Sequence, residues 1–513
     1  MRSLAHGFRA SARQHAAKTA LISADGLLDY ASLDRQSDAL AAALAGRGIA
    51  KGDRVGLYCM NGLHFPVAYL AILKAGATLV PVNLLLSPGE MAFMLEDAGA
   101  KGLIYHEAFL ETAQVLKESV ACLTFSIVID EEPAGAWAEI LKTNAQPPDI
   151  AFDPDEDLAV ILYTSGTTGK PKGAMLTHAN LLANVDSVRQ AMQWRLGEDT
   201  VLVVLPMFHA FAGTVGLLTT LLSGCAVAPL ARFEPDLVAK TIHETRSTIF
   251  LGVPSMFTLL LRLKPDRTHL LESLRFCISG GAALPVEILR RFEAQFGKRI
   301  YEGDGPTECS PVTCVNPVGG LSKPGTVGLA VPGVTMRIVG YEGVESLPLG
   351  QVGEIAVRGQ NVMKGYWNQP EATAEVMREG WLLTGDLGTE DGDGYFAIVD
   401  RKKDLIIVNG MNVYPRMIEE VLYRFPPIKE AAVVGEPNDL HGEIPVAYVS
   451  LDSPGATDEA AIRAHCRENL GHFQVPRKIF ILPELPKTAT GKLLKRELRK
   501  QGEIERGVKD LGA

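Results

Sequence analysis

Apolar runs of strand length alternate with helix-length segments along most of this chain. Arg54–Cys59 reads as a strand, followed by a helical stretch around Phe65–Lys74, a strand at Thr78–Val82, a helix around Ser87–Ala98 and a strand at Gly102–Tyr105. The rhythm returns with a strand at Thr248–Leu251, a helix near Ser255–Leu263, a strand at Arg275–Ser279 and a helix over Pro285–Phe296. Alternation of this kind predicts an α/β fold with largely parallel sheets. Between about Gly325 and Asp400 the texture changes to short strands and glycine-rich turns, such as Gly353–Arg358 and Gly394–Val399, which predicts a small β subdomain. After Asp400 a third texture begins. Ala431–Val434, Val446–Ser450 and Lys478–Leu482 read as strands, Met417–Tyr423 and Asp458–Asn469 as helices, together a compact α+β unit. The expected plan is a large domain at 1–400, with the β subdomain at 325–400, and a small domain at 401–513.

Composition narrows the class. A chain of 513 residues exceeds the ~100–200 of one domain, and its 47% hydrophobic and 21% charged residues describe a folded, not a disordered, protein. A formal charge of −10 argues against a nucleic-acid binder that relies on bulk charge. Seven cysteines without a CxxC pair make neither a disulfide framework nor a zinc site, and fit a reducing, cytoplasmic compartment. Residues 1–24 carry four basic residues and no acid, which imitates a transit peptide; a surface helix leading into the strand-like Ala20-Leu21-Ile22 is the plainer reading. Residues 200–231 contain no Asp, Glu, Lys or Arg, but Pro206, Gly213, Gly216, Gly224 and Pro229 interrupt them. They divide into a strand (Val201–Leu205), a helix-like stretch (Thr214–Leu222) and a strand (Cys225–Leu230), so a buried core is expected there rather than a membrane span. The charge is uneven: 401–513 carries +2 and the remainder −12, which suggests a phosphate-bearing ligand between the two parts.

The stretch Tyr163-Thr-Ser-Gly-Thr-Thr-Gly-Lys-Pro-Lys-Gly173 concentrates three glycines, four hydroxyls and two lysines between an apolar run, Leu158–Tyr163, and a helix expected near Thr177. A strand–loop–helix of this composition holds polyphosphate: glycines let N–H groups turn toward an anion, hydroxyls donate, lysines supply charge. The Walker A spacing is absent.

Residues 164–173 resemble the signature loop of the adenylate-forming superfamily, which comprises acyl-CoA synthetases, peptide-synthetase adenylation domains and luciferases. Five further stretches resemble that family's motifs in the right order. Ser279-Gly-Gly-Ala-Ala-Leu-Pro285 is similar to the adenine-side motif, Gly303-Asp-Gly-Pro-Thr-Glu308 to the Gly-aromatic-Gly-x-Thr-Glu motif, and Thr384-Gly-Asp-Leu387 to the ribose motif. Asp400-Arg-Lys-Lys-Asp404 is similar to the interdomain hinge and Pro486-Lys-Thr-Ala-Thr-Gly-Lys492 to the catalytic-lysine loop.

The resemblance implies roles that the residues alone leave open. Thr164, Ser165, Gly166, Thr167, Thr168, Gly169 and Lys172 would cradle the ATP phosphates, with Gly281, Ala282 and Thr307 around the nucleotide. Glu308, otherwise a turn acid, becomes with Thr164 the Mg²⁺ site, chemistry that suits hard oxygen ligands. Asp386 and Arg401, otherwise a turn cap and a surface charge, face the ribose, and Lys492, otherwise a helix-start lysine, meets the α-phosphate. The small domain becomes mobile, pivoting near Lys403 in a hinge at 400–404, with Gly410 admitting the pantetheine of coenzyme A. Asp391-Gly-Asp-Gly394 reads as a hairpin turn, not a calcium loop. One departure stands out: Asp304 replaces the usual aromatic residue against adenine, losing a stack but offering an acceptor for the adenine amino group.

The segment Leu205–Thr214 resembles fatty-acid–CoA ligases, which places His209 near the reacting carboxylate; a buried structural histidine is the alternative. Because 200–231 carries no cation, a pocket there suits a monocarboxylic apolar acid better than a diacid, whose second carboxylate would need a partner. The expected activity is a fatty acid–CoA ligase using ATP, Mg²⁺ and coenzyme A through an acyl-AMP, and the alternative loads an aromatic or other acid onto CoA or a separate acyl carrier protein. A luciferase-type oxygenase and a non-enzymatic scaffold are the remaining readings. No nucleic-acid partner and no transmembrane segment are expected; peripheral membrane contact and a homodimer are compatible with the sequence.

Overall fold

The computed structural model describes residues 3–24, 26–132, 134–164, 171–340, 343–438, 440–487 and 493–500. Two large sheets form the body of the molecule. In the seven-stranded sheet, Thr78–Pro81, Arg54–Tyr58, Ala100–His106 and Phe125–Ile129 extend in parallel from Leu158–Thr164, and the antiparallel strands Lys172–Thr177 and Gly365–Tyr366 close one edge. In the nine-stranded sheet, Ile300–Asp304, Phe276–Ser279, Ile249–Gly252, Thr200–Val203, Ala226–Pro229 and Thr19–Ser23 are parallel, with short antiparallel strands at both edges. Parallel strands have both faces covered, which is why they read as unbroken apolar runs. One continuous core joins the two sheets through the helices Tyr30–Gly46 and His64–Lys74 and the helical segment 211–222.

Two expectations change in detail. The stretch read as strand–loop–helix has a second strand before its helix, because Lys172–Thr177 pairs antiparallel with Leu158–Thr164 before the helix His178–Ala191 begins. Its glycine hid the strand: a Cβ at Gly173 would lie 2.7 Å from Ile161 Cγ2, so close packing, not flexibility, requires that residue. The uncharged stretch is buried as expected, with every residue of 211–222 inside, but Phe211–Leu218 winds as a π-helix. Thr214 O there accepts from both Thr219 N and Thr219 Oγ1, a wider turn that an apolar pattern does not encode. Among the described residues no helix is long and apolar enough to cross a membrane. The N-terminal helix Leu4–Gln14 buries Leu4 and Phe8 in the core, and the strand Thr19–Ser23 follows it.

Val334–Val339, Gly353–Gly359, Trp381–Glu390, Met377–Arg378 and Phe396–Arg401 form a separate antiparallel sheet. Two short strands of the same region do not join it: Leu329–Ala330 extends the nine-stranded sheet and Gly365–Tyr366 the seven-stranded one. Beyond Arg401 a five-stranded sheet (Ile406–Val408, Met411–Val413, Ile428–Asn438, Gly442–Leu451, Lys478–Ile481) packs with the helices Pro415–Tyr423 and Glu459–Asn469 around apolar clusters of its own.

Candidate active site

Ligand sites in α/β folds lie at the carboxyl ends of the parallel strands, and Thr164, Ala282 and Asp304 lie at or just beyond such ends. Thr164 and Lys172 face each other across the hairpin; Ser165, Gly166, Thr167, Thr168 and Gly169 lie outside the described residues, as does Lys492. Thr177 and Asn180 make a reciprocal cap at the following helix, and Asn180 Nδ2 also donates to the carbonyls of Gln360 (2.7 Å) and Val362 (2.9 Å). The strap 360–366 is thereby tied to the phosphate-loop hairpin.

Gly281 and Ala282 sit exposed in the turn after Phe276–Ser279, with Gly281 at φ +79°. Gly303 and Gly305 bracket Asp304 for steric reasons: a Cβ at Gly305 would lie 1.7 Å from Pro311 O, and one at Gly303 2.9 Å from Cys314 O. Asp304 is half-buried and its carbonyl accepts from Thr313 N and Oγ1, both at 3.0 Å. Thr307 and Glu308 follow in a single 3₁₀ turn. Glu308 Oε1 accepts from Tyr366 Oη at 2.7 Å, and its carbonyl accepts from Met363 N at 2.7 Å.

Asp386 and Arg401 are register partners on adjacent strands, with Arg401 Nε 3.2 Å from Asp386 Oδ1. The Arg401 guanidinium is held above its usual range chiefly by Asp386, against partial loss of water, with further help from Asp304, Asp404 and Glu308. Asp386 is its direct partner, and three further carboxylates add to the negative field it feels. Lys403 is exposed just beyond, and Lys402 Nζ pairs with Glu354 Oε2 at 2.9 Å. Gly410, six residues beyond Asp404, shares a hairpin tip with Asn409; φ values of 51° at Asn409 and 78° at Gly410 are those of the Asn-Gly type I′ turn, and nothing lies within 4 Å of a Cβ built at Gly410. Next to the Lys492 loop, Lys487 pairs with Leu493, Lys487 Nζ meets Glu430 Oε1 at 2.7 Å, and Lys495 Nζ meets Glu419 Oε1 at 2.8 Å.

His209 is half-buried at the start of the π-helical segment, where its N–H donates to Pro206 O (3.0 Å) and its carbonyl accepts from Gly213 N (2.8 Å). It borders a small cavity lined by Tyr69, Pro81, Val160, Leu162 and Met207.

Two site residues escape sequence reading. Tyr366 lies in the region of short strands and glycine-rich turns and carries no signal of its own. Glu302 looks like any strand acid, yet it is 2% exposed, its Oε1 accepts from Leu284 N at 2.8 Å, and its Oε2 meets no donor among the described residues. Burial pushes its carboxyl up to about 7, against the charge of Arg416. Its place immediately before Gly303 is the only sequence clue.

With this geometry in hand, known proteins give a consistent answer. The family of AMP-binding enzymes matches residues 8–367, and the C-terminal domain of AMP-binding enzymes matches residues 417–492. The chain belongs to the AMP-binding enzyme family. Its class within that family is the adenylate-forming acid–CoA ligases. It is 37% identical over 489 residues to a long-chain-fatty-acid–CoA ligase of Bacillus subtilis, covering 90% of this chain and 87% of the relative. It is 38% identical over 476 residues to a feruloyl-CoA synthase of an Amycolatopsis species, covering 92% and 94%. The crystal structure of an anthranilate CoA ligase in complex with anthranoyl-AMP superposes with a TM-score of 0.92 at 28% identity, covering 98% of each chain.

Proposed function

We propose that this ligase activates an apolar monocarboxylic acid, a fatty acid of medium or long chain, in two half-reactions at one site. In the first, the acid's carboxylate attacks the ATP α-phosphate, giving acyl-AMP and pyrophosphate. In the second, the CoA thiol attacks the acyl carbonyl and AMP leaves. Charge accumulates on the transferring phosphoryl group, so fixed cations contribute most to the first step. Lys172 and Lys492 are the lysines assigned to it. Asp386 and Arg401 are assigned to the ribose, Asp304 to the adenine amino group, and Gly410 to CoA after the domain from 401 onward turns about Lys403.

Mg²⁺ suits this site by the chemistry of its donors. No group of three His, Cys, Asp or Glu that would hold a metal alone occurs among the described residues. Glu308 offers one carboxylate whose Oε2 accepts no hydrogen bond from a described residue, with Thr164 as the second assigned oxygen. One carboxylate plus substrate phosphates is the usual way Mg²⁺ is held. When bound, the ion neutralises charge on the phosphate oxygens.

The observation that carries the acyl assignment is the uncharged, fully buried 211–222 segment beside His209. A second carboxylate in that wall would lack a compensating cation. The relatives that use fatty acids support the same reading. The feruloyl and anthranilate ligases favour a second one, in which an aromatic acid fills the pocket. An acid-dependent pyrophosphate-release screen, with CoA included or omitted, separates them: activity should rise from acetate toward longer acids. Highest activity with malonate, or with benzoates and cinnamates, overturns the fatty-acid assignment.

A further inference from the structure

The two-residue strand Gly365–Tyr366 is anchored more firmly than its length suggests. It pairs with Lys172–Thr177 (Gly365 with Met175, Tyr366 with Ala174), and Tyr366 N donates to Thr373 Oγ1 at 2.8 Å. The next residue donates twice: Trp367 N to Gly173 O (2.7 Å) and Trp367 Nε1 to Asp97 O (2.9 Å). From this base the Tyr366 side chain touches two groups assigned to the nucleotide. Its hydroxyl donates to Glu308 Oε1 at 2.7 Å, and Lys172 Nζ lies 5.2 Å from the centre of its ring, in cation–π range.

The geometry has a chemical consequence. A donor fixed on Oε1 restrains the carboxylate's rotation and leaves Oε2 as the available ligand oxygen. The ring beneath the Lys172 ammonium gives that flexible side chain a seat without neutralising it.

We propose that Tyr366 is a positioning residue for the adenylation half-reaction, holding the Glu308 carboxylate for Mg²⁺ and the Lys172 ammonium for the nucleotide phosphates. The proposal rests on the reading of Glu308 given above. Groups that hydrogen-bond a metal's carboxylate ligand typically change metal affinity about 10–100-fold when removed. A purely structural tyrosine would transmit nothing of the kind, since phenylalanine preserves the packing.

The test is calorimetric binding of ATP without the acid, so that no turnover occurs, in Mg²⁺ and in EDTA. The proteins compared are wild type, Tyr366→Phe, Tyr366→Leu and Glu308→Gln, each with its thermal unfolding midpoint recorded. Tyr366→Phe should lose about tenfold of the affinity that Mg²⁺ adds, and bind ATP in EDTA as wild type does. Tyr366→Leu should in addition weaken binding in EDTA by about two- to fivefold, the value of a cation–π contact. Thioester formation from pre-made acyl-AMP should be unchanged in Tyr366→Phe. If Glu308→Gln loses the Mg²⁺ increment and Tyr366→Phe keeps it, the proposal falls alone. If Glu308→Gln also keeps it, the reading of Glu308 falls and the proposal with it.

Discussion

Acidification should weaken this fold through one identifiable histidine. His178 is the first residue of the helix His178–Ala191, 1% exposed, with its Nδ1 accepting from Leu4 N at 3.3 Å and its ring edge-on to Phe152 at 4.9 Å. Burial lowers its pKa from 6.5 to about 4, against the opposing pull of Asp157. The helix N-terminus, the positive end of the dipole, disfavours an imidazolium there as well. The sign follows from which state binds the proton first. Between pH 6.5 and about 4 the unfolded chain is protonated at this residue and the folded chain is not, so stability is complete above 6.5 and falls as pH drops toward 4. At about 1.4 kcal/mol per unit, the loss amounts to about 3 kcal/mol. Other groups titrate in the same window, so the quantity to read is a difference. Urea unfolding of wild type and His178→Gln should be followed by circular dichroism from pH 7.5 to 4.5. The stability gap between them should narrow by about 2–3 kcal/mol across that range, because glutamine takes up no proton in the unfolded chain. A gap that stays constant with pH would refute the assignment of acid lability to this buried ring.

Three further outcomes are expected. Lys492→Ala should lose adenylate formation by about a hundredfold or more while still converting pre-made acyl-AMP to acyl-CoA; equal loss of both steps, in a folded protein, would sink the account in which the small domain alternates between them. Asp304→Ala should raise the ATP KM and relax discrimination against GTP by up to about tenfold, the value of one hydrogen bond, and unchanged nucleotide preference would remove Asp304 from the adenine site. For Gly410 the turn dictates the substitution: φ +78° would strain Leu whatever the space around it, so Gly410→Asn, which tolerates that conformation, is the cleaner probe and should form adenylate normally while its CoA step slows. A CoA step as fast as wild type would leave Gly410 a turn residue only.

The chain's order of elements was legible because its signals are local. Strands buried on both faces read as apolar runs, and the uncharged 200–231 stretch reads as core, with every residue of 211–222 buried. Family membership was legible too, since glycines, hydroxyls and lysines cluster in motifs that survive in sequence, and the AMP-binding family match spans residues 8–367. Tertiary structure decided everything that depends on which separated residues meet. Lys172–Thr177 becomes a strand only because Leu158–Thr164 and Gly365–Tyr366 flank it. Segment 211–218 takes a π turn, with Thr219 giving two donors to the carbonyl of Thr214, a geometry its apolar pattern does not encode. Gly303 and Gly305 are required by the carbonyls of Cys314 and Pro311, which no window of sequence around Asp304 reveals as obstacles. Arg401 meets Asp386 only because Trp381–Glu390 and Phe396–Arg401 pair as neighbouring strands. Tyr366 is the clearest case: nothing adjacent marks it, and its meaning arises from a hydrogen bond to Glu308 and a ring beneath Lys172. Periodicity is written in neighbouring residues, whereas a site is written in distances between residues that the fold alone brings together.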